Sequence, residues 1–144
     1  MRFMIMVKAT PDTEAGKFPD GIEKLFDAMS VYHEELAKAG VLLDASGLQP
    51  SKAGWKVRYS GDKRTVVDGP FAEAKEMIAG YTLIQTKTRE EALEWTRRFP
   101  KPHLDHECEI EVRQLYELDD FATLESAKSS IEKFREMEKH GQSN

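Results

Sequence analysis

The chain has 144 residues, a single cysteine (Cys108) and a formal net charge of −5; that length supports one domain burying about two thirds of its unfolded surface, and a lone cysteine excludes an intramolecular disulfide. Its 21 Lys and Arg are outnumbered by 26 Asp and Glu and interspersed with them, so nucleic acid is not an expected partner, because phosphate contacts need clustered cations. No apolar run approaches the roughly 20 residues of a membrane span, and the apolar start Met1–Lys8 is too short for a signal peptide; a cytoplasmic protein that meets small molecules or other proteins, and no membrane, is expected.

Residues 2–8 alternate, with Phe3, Ile5 and Val7 on one side and Met4, Met6 and Lys8 on the other, which predicts a strand. Thr10-Pro11-Asp12 stops it, and the polar stretch to Pro19 reads as a surface loop. Asp20 with Glu23 resembles an N-terminal cap for a helix running to about Ala39, whose apolar stripe is Ile22, Leu25, Phe26, Met29, Leu36 and Ala37 and whose stop is Gly40. Val41-Leu42-Leu43 restarts as a strand, Gly47 and Pro50 break it, and Lys56–Ser60 and Arg64–Asp68 form a ribbon about the turn Gly61-Asp62. A strand spans the region from Met77 to Thr86, centred on Gly80–Gln85. Thr88 and Glu91 box the start of a helix carrying Ala92, Leu93, Trp95 and Thr96, which Phe99-Pro100 ends. After a loop over 101–106, Glu107–Tyr116 alternates, with Cys108, Ile110 and Val112 turned to the packed side. Phe121, Leu124, Ala127, Ile131, Phe134 and Met137 have helical spacing, and the tail His140–Asn144 is expected to fray.

The order strand, helix, strand, ribbon, strand, helix, strand, helix predicts an α+β fold with helices on one face of an antiparallel sheet. The other sheet face would carry Lys8, Glu109, Glu111 and Arg113 beside Met4 and Met6. That mixture is too apolar for free water and too charged for a core, so a homodimer with a cleft between two sheets is expected.

Asp68 ends a strand where a carboxylate can reach such a cleft, as a proton-transferring or ligand-orienting acid. Equally, it can anchor the Asp-Gly-Pro turn by accepting backbone amides, with Pro70 opening a helical turn at Phe71-Ala72-Glu73. Glu73 lies one turn from that corner and is the best placed of Glu73, Lys75 and Glu76 to act beside Asp68, unless it is simply solvated. His33 falls inside the apolar stripe of the first long helix, where a histidine is hydrogen-bonded, titrates low or lines a pocket. Glu111 and Arg113 either floor a polar cleft or pair with each other and with Lys8. His103, His106 and Cys108, with Asp105 between, do not have the paired spacing of zinc sites, so no metal is expected. No phosphate loop, dinucleotide fingerprint or nucleophile elbow is present, and no cofactor is expected.

Asp68-Gly69-Pro70-Phe71, followed by Glu73, Lys75-Glu76, Gly80-Tyr81 and Glu109-x-Glu111-x-Arg113, resembles the DGPF-type branch of the YCII-related family over about residues 2–118. The resemblance implies a ferredoxin-like subunit of the dimeric α+β barrel class over 1–118, leaving a helical extension and tail over 119–144. It also implies lyase- or isomerase-type ring chemistry by a helix histidine and a later aspartate. Those two positions fall at Met29 and Phe99, so the pair is missing, and His33 with Asp68 is the substitute this chain offers. Two functions follow. One is a cofactor-independent small-molecule site in the dimer cleft, with Asp68, His33 and Glu73 catalytic and Lys8, Phe71, Glu111 and Arg113 holding a small anionic or ring-type ligand. The other is a non-catalytic regulatory or interaction module, since the resemblance also implies association with sigma-factor transcription systems.

Overall fold

The computed structural model describes residues 1–104 and 107–141. Its elements are β1 (Arg2–Lys8), α1 (Pro11–Glu14), α2 (Ile22–Lys38), β2 (Leu42–Gly47), β3 (Trp55–Ser60), β4 (Lys63–Asp68), β5 (Ile78–Gln85), α3 (Arg89–Arg97), β6 (Ile110–Gln114) and α4 (Lys128–Gly141).

Four strands form one sheet in the order β2-β5-β1-β6, and every neighbouring pair is antiparallel. Helix α2 connects β1 to β2 across the intervening β5, and α3 connects β5 to β6 across β1. These two interleaved split β-α-β units make the α+β fold that the order of elements predicts, in the ferredoxin-like form that the family resemblance implies. The core lies between sheet and helices, where Phe3, Ile5 and Ile84 meet Tyr32 and Leu36 of α2, Val41 and Ala92 of α3. Ile5, Leu36 and Ile84 are fully buried, each contributing about 1.5–3 kcal/mol relative to exposure.

The ribbon β3–β4 is a separate two-stranded sheet, paired from Trp55 opposite Asp68 to Ser60 opposite Lys63. Gly61 turns it with a left-handed φ of 58°, a conformation glycine adopts without a Cβ clash. The open face of the main sheet sets Met4 opposite Leu83 and Arg113, and Met6 opposite Tyr81 and Glu111. Met4, Met6, Tyr81 and Leu83 are all half-buried.

Several boundaries differ from the sequence expectation, each for a local reason. The stretch after Thr10 is not loop throughout, because Thr10 and Thr13 cap one another reciprocally and Pro11 occupies the first turn, which makes α1. Helix α2 is not capped by Asp20; Gly21, at φ 83°, takes the cap position without a side-chain bond. The second strand lies later than Val41–Leu43, since Leu42–Gly47 finds its ladder on β5. The last strand is shorter than Glu107–Tyr116, because its ladder on β1 runs only from Phe3 opposite Gln114 to Val7 opposite Ile110. Cys108 therefore precedes the strand and is half-buried. The C-terminal apolar stripe begins in two short 3-10 turns, Leu118–Phe121 and Glu125–Ala127, before α4 starts. On that stripe Leu124, Phe134 and Met137 are exposed.

Candidate functional site

A cavity of about 690 Å³ opens on the helix side of the sheet, within the 300–1,000 Å³ usual for small-molecule sites. Its walls come from α1, one face of α2, the ends of β1 and β5, the loop following β2 and the segment 99–104. Ile22, Leu25, Phe26 and Met29, the first half of the apolar stripe of α2, line it together with Leu48 and Phe99. Those stripe positions face the cavity, whereas the buried residues of α2 lie further along, at Tyr32 and Leu36. The amphipathic pattern is thus split between core and cavity.

Among the polar residues of the lining, which include Asp12, Lys17 and His103, His33 is held from two sides. Its Nδ1 lies 2.7 Å from the Met29 carbonyl, one turn back on α2, and its Nε2 lies 2.8 Å from Thr82 Oγ1 on β5. A carbonyl only accepts, so Nδ1 carries the proton; in the neutral ring Nε2 then accepts from the Thr82 hydroxyl. Thr82 is buried. The ring is also held edge-on by Tyr32, at 5.5 Å between centroids, and by Phe99, at 6.4 Å. Tyr32 packs behind that ring in the core: its hydroxyl donates to the Trp95 carbonyl at 2.8 Å, and burial pushes its phenol up to about 12. Sequence periodicity singles out His33, and the inward parity of Gly80, Thr82 and Ile84 on β5 was the available signal for Thr82.

The Asp68–Phe71 corner is elsewhere. Its backbone is buckled to the turn Ser51–Ala53, with Gly69 N–H donating to the Gly54 carbonyl and Phe71 N–H to Ser51 Oγ, each at 2.9 Å. Ser51 in turn donates its N–H to Glu14 Oε1 at 3.0 Å and its hydroxyl to Glu14 Oε2. The buckle therefore ties the ribbon to α1, a wall of the cavity, through residues with no shared sequence pattern. Lys56 Nζ lies 4.3 Å above the Phe71 ring. Asp68 itself is exposed on the ribbon opposite Trp55, and among the described residues its carboxylate has neither hydrogen bond nor ion pair. Glu73 is exposed and precedes a 3-10 turn at Ala74–Glu76, later than the turn expected over Phe71–Glu73.

Lys8, Glu111 and Arg113 converge on the open sheet face. Lys8 Nζ is 3.2 Å from Glu111 Oε1, and Arg113 Nη1 is 3.5 Å from Glu111 Oε2. The bond and charge of Lys8, followed by those of Arg113, hold the Glu111 carboxyl below the ordinary glutamate value. Lys8, Asp68, Phe71, Glu73, Glu111 and Arg113 do not line the His33 cavity, so one chain does not bring the sequence candidates into a single pocket. Of the H-x2-H-x-C group, Asp105 and His106 lie outside the described residues. His103 Nε2 is 3.0 Å from the Lys8 carbonyl, and Cys108 Sγ lies 4.0 Å from the His103 carbonyl.

Residues 1–116 match the family model of the YCII-related domain. An uncharacterized protein of Rhizobium meliloti (strain 1021) is 35% identical over 75 residues, which are 52% of this chain and 60% of that protein. The chain thus spans less than two thirds of this relative's length. Among solved structures, 5-chloro-2-hydroxyhydroquinone dehydrochlorinase from Burkholderia phenoliruptrix AC1100, in complex with 2,5-dihydroxybenzoquinone, superposes with a TM-score of 0.42 at 14% identity, covering 81% of this chain and 94% of that one.

Proposed function

The chain belongs to the YCII-related domain family, and from that premise we propose that it binds a small, largely apolar ring-type molecule in the cavity beneath α2, with His33 and Thr82 among its polar contacts. The observation carrying this reading is the cavity of about 690 Å³ in which an apolar wall meets an imidazole, His33, hydrogen-bonded at both ring nitrogens. Met29 and Phe99, the positions at which the resemblance sets its missing pair, both line the same cavity as His33. Both ring nitrogens of His33 are engaged at rest, which favours binding over proton transfer. Lyase- or isomerase-type chemistry requires Thr82 to turn away, so that Nε2 faces the ligand as a base.

Titration with phenol, followed by two-dimensional amide NMR, tests the site. Saturable shifts grouped at His33, Thr82, Met29 and Gly80 are expected. Shifts scattered over the surface, or none at the solubility limit, refute it.

The open sheet face supports a second part of the proposal, a homodimer. Half-buried Met4, Met6, Tyr81 and Leu83 beside the Lys8–Glu111–Arg113 cluster make a surface suited to a second copy. A monomeric mass by light scattering at micromolar concentration refutes it.

A further inference from the structure

At the mouth of the cavity stand two phenylalanines that the core does not use. Phe18 is 75% exposed and Phe26 57% exposed, yet both line the cavity and touch each other edge to face, with centroids 6.4 Å apart and planes at 62°. Exposed aromatic surface of this size is unfavourable in water and becomes favourable when a ligand covers it. Phe26 is fixed on α2, whereas Phe18 sits on a short connection between Gly16 and Gly21, whose φ angles are 70° and 83°. The backbone bonds Lys17 N–H to the Asp12 carbonyl, at 3.0 Å, and Ile22 N–H to the Pro19 carbonyl, at 3.2 Å, bracket that connection and leave Phe18 between them.

We propose that Phe18 and Phe26 form an aromatic clamp that makes the cavity selective for a planar aromatic ring over an aliphatic ring of the same size. This rests on the cavity being a ligand site and adds the class of ring it takes. The physical reason is the ring quadrupole. Any apolar ring gains from leaving water, but only a planar π-system also gains from stacking on one phenylalanine face or meeting it edge-on. An edge-to-face pair at the mouth leaves ring faces free to receive a third ring, completing a small aromatic cluster with the ligand as its centre.

The test compares phenol with cyclohexanol on the full chain, reading both dissociation constants from amide NMR titrations of wild type, Phe18→Leu and Phe26→Leu. Each substitution keeps an apolar side chain of similar reach and removes the π-system, and a thermal melt of each confirms folding. The quantity read is the ratio of the two constants, because comparing that ratio between variants removes the difference in acidity between the two hydroxyls. The wild-type preference for phenol is expected to exceed that of Phe18→Leu by about two- to tenfold, with Phe26→Leu showing a similar loss and cyclohexanol affinity nearly unchanged in both. An identical ratio in all three proteins overturns the clamp while leaving the ligand site standing. Binding of neither alcohol in the cavity overturns the ligand site, and the clamp falls with it.

Discussion

A Cβ placed on Gly69 would stand 1.8 Å from the carbonyl oxygen of Ser51. No side chain fits there, so the glycine of the Asp68–Phe71 corner is required by close backbone approach, and the corner serves as a buckle. Gly69→Ala is expected to destabilise the protein by about 3 kcal/mol, at the upper end for overpacking against immobile atoms. Asp68→Asn is expected to stay within about 0.5 kcal/mol of wild type, because its carboxylate has no partner among the described residues. Paired denaturant titrations decide. A loss for Asp68→Asn with Gly69→Ala close to wild type would show that the carboxylate, and not the glycine, holds the corner.

Ser51 is the pin of the same buckle, accepting from Phe71 and donating to Glu14. Ser51→Ala removes the hydroxyl and leaves the Phe71 N–H and one Glu14 oxygen without it, for an expected loss of about 1–3 kcal/mol. Glu14→Gln keeps an acceptor for the Ser51 N–H and should fall between wild type and Ser51→Ala. If Ser51→Ala melts with wild type, α1 is held by other contacts and the buckle is incidental.

How legible this was depends on the range of each interaction. Strands β1 and β5 and helices α2 and α3 were readable because alternation and helical spacing act within a few residues, and Thr88 does accept from the Glu91 N–H, at 3.1 Å. His33 stood out because a polar residue interrupted an apolar stripe. The buckle was not readable: Glu14, Ser51 and Phe71 are joined only by the folded backbone, and the turn chemistry of Asp68-Gly69-Pro70 suggested an acid-centred anchor where backbone contacts do the holding. The cavity was equally hidden, since Leu25, Phe26 and Met29 carry the same spacing as Tyr32 and Leu36, and periodicity alone does not distinguish residues facing a core from residues facing a hollow.

The pairing of His33 with Thr82 sets both a tautomer and a stability contribution. Long-range nitrogen-proton spectra of the neutral ring should show the proton on Nδ1, directed at the Met29 carbonyl. Thr82→Val keeps the shape and deletes the hydroxyl, leaving Nε2 without its donor for an expected loss of about 1–3 kcal/mol. The same variant should bind phenol more tightly, because the ligand hydroxyl can then donate to the vacated nitrogen. A proton found on Nε2 would reverse the assignment and remove the reason for that gain.

Tyr32 gives a test at alkaline pH. Its phenol is raised from 10.0 to about 12, chiefly by burial, with its proton donated to the Trp95 carbonyl. A folded-state value above the unfolded one means that the folded chain holds the proton more tightly, so the associated stability is fully present below about pH 10 and is lost as pH rises towards about 12. Tyr32→Phe lacks the titration. At neutral pH it should be less stable than wild type by about 0.5–1.5 kcal/mol, for the missing hydrogen bond. Between about pH 10 and pH 12 the gap should close, because wild type alone loses the contribution of a phenol that ionises on unfolding while the lysines titrate in both proteins. Melting temperatures of the two proteins across that window measure the gap directly. A gap that stays constant into that range would mean the phenol ionises as readily in the folded chain as in the unfolded one, and the packed wall of Tyr32, Trp95 and Phe99 behind His33 would then have to be open to water.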